Sequence, residues 1–160
     1  MGNVLIVSMA QVSDSEDPFS PWYYIKDSSD VDANGDVTRI PGFIWSQVKS
    51  NANLIEHKFS FYYARRIFDD GKYVYDEPDD GHSVGEDRRW AVGRAHLQPN
   101  KVLLVCETEP PDGTHRRRIY SARVLTSGHL KDEFEKNEVL YLAQSKKNYD
   151  YLKSLYDRMF

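Results

Sequence analysis

The stretch Lys101-Val102-Leu103-Leu104-Val105-Cys106-Glu107-Thr108-Glu109 is a near-continuous apolar run, which predicts a strand in the centre of a sheet. Residues 88–95 alternate between two faces and predict the strand before it. Residues 116–125 predict the strand after it, reached through the turn sequence Pro110-Pro111-Asp112-Gly113. Because short turns join consecutive strands, we expect these strands to be antiparallel.

The sequence upstream of these strands predicts the order strand, helix, helix, strand and acidic turn. The corresponding residues are 43–45, 47–57, 61–68, 72–76 and 77–81. Ser46 and Ser60 precede the two helices and are typical N-caps. Downstream, Thr126 or Ser127 begins a short helix that ends near Glu135, and a last helix covers residues 139–158. The predicted class is α+β, with the helices on one face of a four-stranded antiparallel meander.

Charge divides the chain into an acidic extension and a nearly neutral remainder. The net charge is −4, but residues 11–36 hold seven acids and one base, which leaves +2 for residues 37–160. We predict an N-terminal extension over residues 1–40 (a strand, then a loop), a main domain over 41–136 and a C-terminal helix over 137–160. Two readings of the extension stay open: an inert tail, or a segment whose acids cover a basic face as a nucleic-acid mimic.

Composition excludes several classes of protein. Hydrophobic residues make up 40% and charged residues 29%, as in globular proteins, and no run approaches the ~20 apolar residues of a membrane span. The apolar start lacks the basic flank of a signal peptide. The single Cys106 excludes an internal disulfide and is expected to be a core thiol. We expect a protein of the bacterial cytoplasm that uses no cofactor, and the five His and one Cys show no metal-ligand spacing.

The segment His82-Ser83-Val84-Gly85-Glu86-Asp87-Arg88 and the later Arg118–Arg123 stretch bring an imidazole, a carboxylate and guanidiniums into one small domain. These groups can cleave RNA without a metal: a base takes the proton of the 2′-hydroxyl, arginines stabilise the charge on phosphorus, and an acid protonates the leaving oxygen. Glu86 and Arg88 are two residues apart and share a face. The alternative is a surface ion pair.

Regular alternation also places Arg123 on the same face as Ser121, Ile119 and Arg117. Arg117 then tracks phosphate while Arg123 contacts the reacting group. The alternative is a set of charges that protects a sheet edge. Arg118, Arg94 and His82 complete the expected substrate contacts.

The first predicted helix contributes three candidate residues. His57 lies at its C-terminal end, where the helix dipole favours the imidazolium, and is either a general acid or a capping residue. Lys49 and Asn53 are four residues apart and share a helix face. They either contact RNA together or form a solvated face.

An ordered set of short motifs over residues 43–125 resembles the BrnT family of toxins. The helix region carries Phe43-Ile44-Trp45, Lys49, Asn53-Leu54, His57, Phe61, Ala64 and Ile67-Phe68-Asp69. The strand region carries His82-Ser83-x-Gly85-Glu86-x-Arg88, Gly93-Arg94, Thr108-Glu109 and Arg118-Ile119-x-Ser121-Ala122-Arg123. Where the family usually has a lysine before the helix histidine, this chain has Glu56, and Ser127-Gly128-His129 interrupts the basic helix that follows.

The resemblance implies a small RelE-like domain and a ribonuclease that arrests translation. It assigns His57, Glu86, Arg88 and Arg123 to catalysis. It also implies a cognate BrnA-like antitoxin with a ribbon-helix-helix domain, through which the pair contacts operator DNA. The alternative is a non-catalytic member of the same fold that binds a protein, as an inhibitor or an operon co-repressor.

Overall fold

The computed structural model describes residues 31–38, 40–81, 87–109 and 116–159. Three α-helices occur in this part of the chain: α1 (Gln47–His57), α2 (Phe61–Ala64) and α3 (His129–Met159), and α2 continues as a 3₁₀ helix, Arg65–Phe68. The strands are β1 (Asp36–Val37), β2 (Phe43–Ser46), β3 (Tyr75–Pro78), β4 (Arg88–Ala95), β5 (Gln98–Thr108) and β6 (Arg117–Val124). They form one sheet in the order β1-β2-β6-β5-β4-β3.

The predicted antiparallel meander is present as β3 to β6, but the sheet is larger than four strands. Strand β2 lies parallel to β6, with Phe43 beside Arg117 and Trp45 beside Ile119, and β1 adds an antiparallel edge. A parallel pair needs a long crossover, here the chain between β2 and β6. The four-residue β2 gives no sequence signal for so distant a partner. The prediction of a four-stranded sheet was therefore wrong.

Helices cover both faces of the sheet, which corrects the prediction that they cover one face. The first face packs against α1, α2 and the 3₁₀ helix through a core that includes Trp45, Phe61 and Ile67. The second face packs against the start of α3 through Phe134, which is fully buried and stacks on Tyr73 with 5.8 Å between ring centroids.

The two predicted C-terminal helices are one continuous helix, α3. The sequence prediction broke it near residues 136–138, where the apolar pattern changes. No glycine or proline lies between His129 and Met159, so nothing in the chain interrupts the helix. At this point the side-chain amide of Asn137 donates to the Glu133 carbonyl, one turn earlier in the helix, at 2.7 Å.

Local signals set the ends of α1 as predicted. Ser46 is its N-cap and accepts a hydrogen bond from the Lys49 backbone N–H. Lys58 ends the helix with a positive φ of 72°, and its N–H donates to the Leu54 carbonyl. Ser60 caps α2 by accepting from the Tyr63 N–H at 3.2 Å. These caps fix the position of the α1 side chains relative to the sheet.

Some strand ends differ from the predicted ones. Strand β3 begins at Tyr75 rather than at residue 72 and takes in two residues of the predicted acidic turn, Glu77 and Pro78. Strand β5 begins at Gln98, three residues before the apolar run. In β4, a Cβ added to Gly93 would lie 2.7 Å from the Ile67 Cβ, so glycine lets the 3₁₀ helix approach the sheet closely.

The predicted strand over residues 1–10 lies outside the described residues. Of the predicted extension, residues 31–38 and 40 are described, and they include β1 and an isolated bridge between Val31 and Val37. Val37 is fully buried in the first core. The end of the extension therefore belongs to the sheet. No helix in the described ranges has the length and apolar character needed to cross a membrane.

Candidate functional site

A β-bulge in β6 decides which side chains meet at the site. Cys106 of β5 pairs with Ser121, but the next residue, Glu107, pairs with Ile119, so Tyr120 is an extra residue in the strand. Ile119 therefore faces the first core together with Ala122, whereas Ser121 lies beside Cys106 on the second face. The bulge leaves the half-buried Tyr120 ring available to neighbours from other elements.

Two cations meet the Tyr120 ring. The Arg88 guanidinium, at the start of β4, lies 4.4 Å from the ring centroid. The Lys49 ammonium, in the first turn of α1, lies 5.2 Å from the same centroid. Such cation–π contacts are worth roughly 0.5–2 kcal/mol each, depending on exposure. The contacts hold two positive charges around one ring, although the residues are far apart in sequence.

A small cavity beside this ring extends the site. It has a volume of about 210 Å³, and its lining includes Arg88, Trp90, Cys106, Tyr120 and Ser121. That volume is below the roughly 300 Å³ at which small-molecule pockets begin. A cavity of this size suits one part of a larger ligand better than a whole metabolite.

Charged groups near the cavity influence the pKa of the Cys106 thiol. Burial raises its pKa, a hydrogen bond with Ser121 lowers it, and the negative charge of Asp79 raises it. The positive charges of Arg123 and Arg88 oppose this rise. The exposed Arg123 therefore lies close enough to act on the same atom as Arg88. With its pKa raised, the thiol is protonated at neutral pH, which agrees with its predicted role as a core residue.

The other two arginines of β6 each form an ion pair with an acid of the protein. Arg117 lies on the first face, where its guanidinium is 2.5 Å from Glu107 and stacks 4.2 Å from the Phe68 ring centroid. Arg118 contacts Asp36 of β1 at 3.0 Å, and this hydrogen bond raises the pKa of Arg118. The prediction that Arg117 and Ile119 share a face with Arg123 was wrong, because the bulge at Tyr120 reverses the alternation.

Comparison with known proteins identifies the family. Residues 45–129 match the model of the family described as "Ribonuclease toxin, BrnT, of type II toxin-antitoxin system". The chain belongs to the BrnT family. No curated protein matches the chain. The matched region contains α1, α2 and β3 to β6, and it ends at His129, the first residue of α3. As a member of this family, the protein is the toxin of a toxin–antitoxin pair, so an antitoxin is its expected partner.

Of the BrnT motif residues, Arg94 anchors the C-terminal helix. Its guanidinium makes a two-pronged contact with Glu138, at 2.7 and 2.9 Å, and donates to the Pro99 carbonyl at 2.8 Å. The same group lies 5.5 Å from the Phe134 ring centroid. The hydrogen bond with Glu138 is the main cause that raises the pKa of Arg94. In this structure Arg94 holds α3 against β4.

Asn53 also holds elements together. Only 6% of the residue is exposed, and its amide donates to the Phe59 carbonyl at 3.0 Å. Its oxygen accepts from the Ala122 backbone N–H of β6 at 3.2 Å, so one side chain links α1 to the sheet. Asn53 and Lys49 therefore point to different surroundings, although they lie four residues apart on α1.

His57 lines a different cavity from Arg88. That cavity has a volume of about 160 Å³, and its lining includes His57, Phe59, Gln98 and Lys101. It shares no residue with the cavity beside Tyr120. The His57 Nε2 lies 3.7 Å from a carboxylate oxygen of Glu56. The structure thus brings Arg88 and Lys49 together at the Tyr120 ring, while His57 lines a separate cavity.

His82 and Glu86 lie outside the described residues. Their segment joins β4 through Asp87, directly before Arg88. Among the residues that the structure does describe, no three His, Cys, Asp or Glu side chains come together in a group that could hold a metal ion.

The sequence analysis missed Tyr120 and Trp90 as site residues. In the BrnT motif, Tyr120 stands at the variable position between Ile119 and Ser121. A tyrosine directly after Arg118-Ile119 is the only local signal, and it does not reveal a bulge. Trp90 lies on the face of β4 that borders the cavity, and the alternation over residues 88–95 does not reveal a cavity there.

Proposed function

We propose that this BrnT-family protein is a ribonuclease that cuts RNA through the RNA's own 2′-hydroxyl, without a metal, and thereby inhibits translation. The observation that carries this proposal is the cluster of Arg88 and Lys49 around Tyr120, beside a small cavity. The two cations come from different elements, β4 and α1. Such a site suits the phosphates of an RNA strand.

Each step of the reaction has a candidate group. Glu86 takes the proton of the 2′-hydroxyl, and the oxygen attacks the adjacent phosphorus. Arg88 and Arg123 stabilise the charge that develops on the phosphate oxygens. A histidine gives a proton to the departing 5′-oxygen, which leaves a 2′,3′-cyclic phosphate on the upstream fragment. His82 precedes Glu86 and Arg88 in the same segment, so it is as eligible for this step as His57, which lines a separate cavity.

Substrate binding centres on Lys49, which is exposed and lies beside the Tyr120 ring. The other three predicted arginines already form ion pairs within the protein, which they would have to break before they could bind RNA. The pairs are Arg94–Glu138, Arg117–Glu107 and Arg118–Asp36. The amide of Asn53 is used within the protein. Among the described residues, Lys49, Arg88, Tyr120 and Arg123 are the proposed RNA contacts.

A cognate antitoxin is proposed to neutralise the enzyme in the bacterial cytoplasm. We propose a BrnA-like antitoxin with a ribbon-helix-helix domain that brings the pair to operator DNA. The family membership supports the existence of an antitoxin partner. The type of its DNA-binding domain follows from the resemblance alone, and a short ribbon-helix-helix reading frame next to the gene would support it.

Cleavage of a labelled RNA by the purified protein tests the proposal, with Arg88→Ala as the variant and Arg89→Ala as its matched control. Arg89 is the next residue, but its side chain pairs with Asp76 at 2.8 Å. Loss of a group that stabilises transition-state charge typically costs roughly 10²–10³ in rate. We expect a loss of this size for Arg88→Ala, near-normal cleavage for Arg89→Ala, and the same ranking for growth arrest on expression.

Two results would overturn the proposal. One is the absence of RNA cleavage by wild-type protein whose circular dichroism shows a folded state. The other is equal cleavage by wild type and Arg88→Ala. Cleavage in the presence of excess chelator is expected to continue, and its loss would refute the metal-free chemistry.

A further inference from the structure

The second half of α3 carries an apolar stripe that is largely exposed. The stripe residues are 56–74% exposed: Leu142 56%, Tyr149 64%, Leu152 61%, Tyr156 63% and Met159 74%. The first half of the helix, in contrast, is docked through Phe134 and the Arg94–Glu138 pair. Helix α3 is therefore docked through its first half, and its second half is largely exposed.

The stripe has the spacing of a coiled-coil seam. Its members alternate three and four residues apart: Leu142, Ser145, Tyr149, Leu152, Tyr156 and Met159. The pattern runs for 18 residues, which is about 27 Å of helix at 1.5 Å per residue. Charged residues lie beside the seam and not on it. Lys146 and Asp150 are four residues apart, and so are Lys153 and Asp157, a spacing at which opposite charges on one helix attract.

A helix of this kind needs a partner. Isolated helices of such length are marginal in water, and their stability in proteins comes from packing an apolar face. A tyrosine side chain presents roughly 150–250 Å². At the exposures of Tyr149 and Tyr156, these two alone leave about 200–300 Å² open. With Leu142, Leu152 and Met159 added, the stripe reaches the several hundred Å² at which exposed patches mark interaction sites.

We propose that the stripe is a dimer interface, and that its partner is the α3 helix of a second copy of this chain. A heptad seam fits another helix with the same repeat. Among the described residues, α1 has 11 residues and α2 has four, too few to cover an 18-residue seam. Every other copy of the chain carries the same seam, so a matching partner is always present. Because α3 begins where the BrnT match ends, this interface is an addition to the family's domain.

The flanking charges favour a parallel arrangement. Antiparallel pairing of the seam would set Leu142 against Met159 of the second copy and bring Lys146 close to Lys153, twice per dimer. Like charges at such positions repel. Parallel pairing instead sets Lys146 near Tyr141 and Lys153 near Asn148 of the other helix. The two helices then leave their domains in the same direction.

Light scattering on the full-length protein, without antitoxin, tests the interface across a range of concentrations. We expect a mass that rises toward twice the 18.6 kDa of one chain. Leu152→Glu should lower the mass to that of one chain, because it buries a charge in the seam. Tyr151→Glu is the matched control, since Tyr151 is adjacent and equally exposed, at 61%, but lies off the seam. It should leave the dimer intact.

Three outcomes would overturn the proposal: a single-chain mass at every concentration, a dimer that survives Leu152→Glu, or equal loss of the dimer in both variants. A single-chain mass combined with antitoxin binding that Leu152→Glu abolishes would assign the stripe to the antitoxin instead. The orientation has its own test. A Leu142→Cys variant should form a disulfide-linked dimer under mild oxidation only if the helices are parallel, with wild type, which keeps Cys106, as the control. Its failure to cross-link as a dimer would refute the parallel arrangement.

Discussion

Replacing Asn53 by alanine is expected to destabilise the protein strongly. The sequence analysis, in contrast, names Asn53 together with Lys49 as a candidate RNA contact. The substitution removes one partner from the Phe59 carbonyl and one from the Ala122 N–H. A buried polar group that loses its partner costs roughly 1–3 kcal/mol. The two together predict a loss of about 2–6 kcal/mol in the free energy of unfolding. This is a large share of the 5–15 kcal/mol by which domains are typically stable.

Urea unfolding followed by circular dichroism measures this loss. With a urea dependence of roughly 1–3 kcal/mol per molar, the unfolding midpoint should fall by at least about 0.7 M. Lys49→Ala is the comparison on the same helix, because Lys49 is exposed and its ammonium lies over the face of the Tyr120 ring. Its loss of stability should stay within about 1 kcal/mol.

The same two variants should differ in the opposite sense in RNA binding. Lys49→Ala should weaken the affinity and reduce its salt dependence by about one phosphate contact. Asn53→Ala, measured where it is still folded, should bind RNA normally. The assignment of the two residues is wrong if Asn53→Ala has the same urea midpoint of unfolding as wild type and yet does not bind RNA.

Two further predictions concern α3 and the buried carboxyl of β5. Phe134→Ala should cost roughly 3–5 kcal/mol in urea unfolding, because Phe134 is fully buried under α3; a cost below about 1 kcal/mol would contradict this docking. Burial raises the pKa of Glu107 despite its hydrogen bond from Arg117, so its stabilising contribution is present at low pH and is lost as pH rises through the raised pKa. Glu107→Gln, which can still accept from Arg117, should therefore show a smaller fall in melting temperature from pH 4 toward neutrality than wild type does. Superimposable pH profiles would contradict that reasoning.

The elements that the sequence predicts well are those with local causes. The limits of α1 follow from the Ser46 cap, and the start of α2 follows from Ser60. The apolar run at residues 102–106 correctly indicates a central strand, since β5 lies between β4 and β6. Each of these features depends on residues within a few positions of one another, so the chain itself contains the information.

The features that the sequence does not predict depend on distant partners. The parallel pairing of β2 with β6 joins residues more than seventy positions apart, and β2 is too short to reveal it. The division of the helices between two faces depends on Phe134 reaching the second face of the sheet. The role of Asn53 depends on the backbone of Ala122, which becomes its neighbour only after folding.

The bulge at Tyr120 explains why the predicted face of Arg117 was wrong, and it also shapes the candidate site. With regular alternation, Arg117 and Arg123 would share a face and act on RNA together. The extra residue turns Arg117 toward Glu107 and Phe68 on the first face and leaves Arg123 on the second face. It also leaves the Tyr120 ring between Arg88 and Lys49. Bulges are common beside active sites because they re-aim side chains. In this protein the departure from strand periodicity is what separates a structural arginine from the arginine proposed for catalysis.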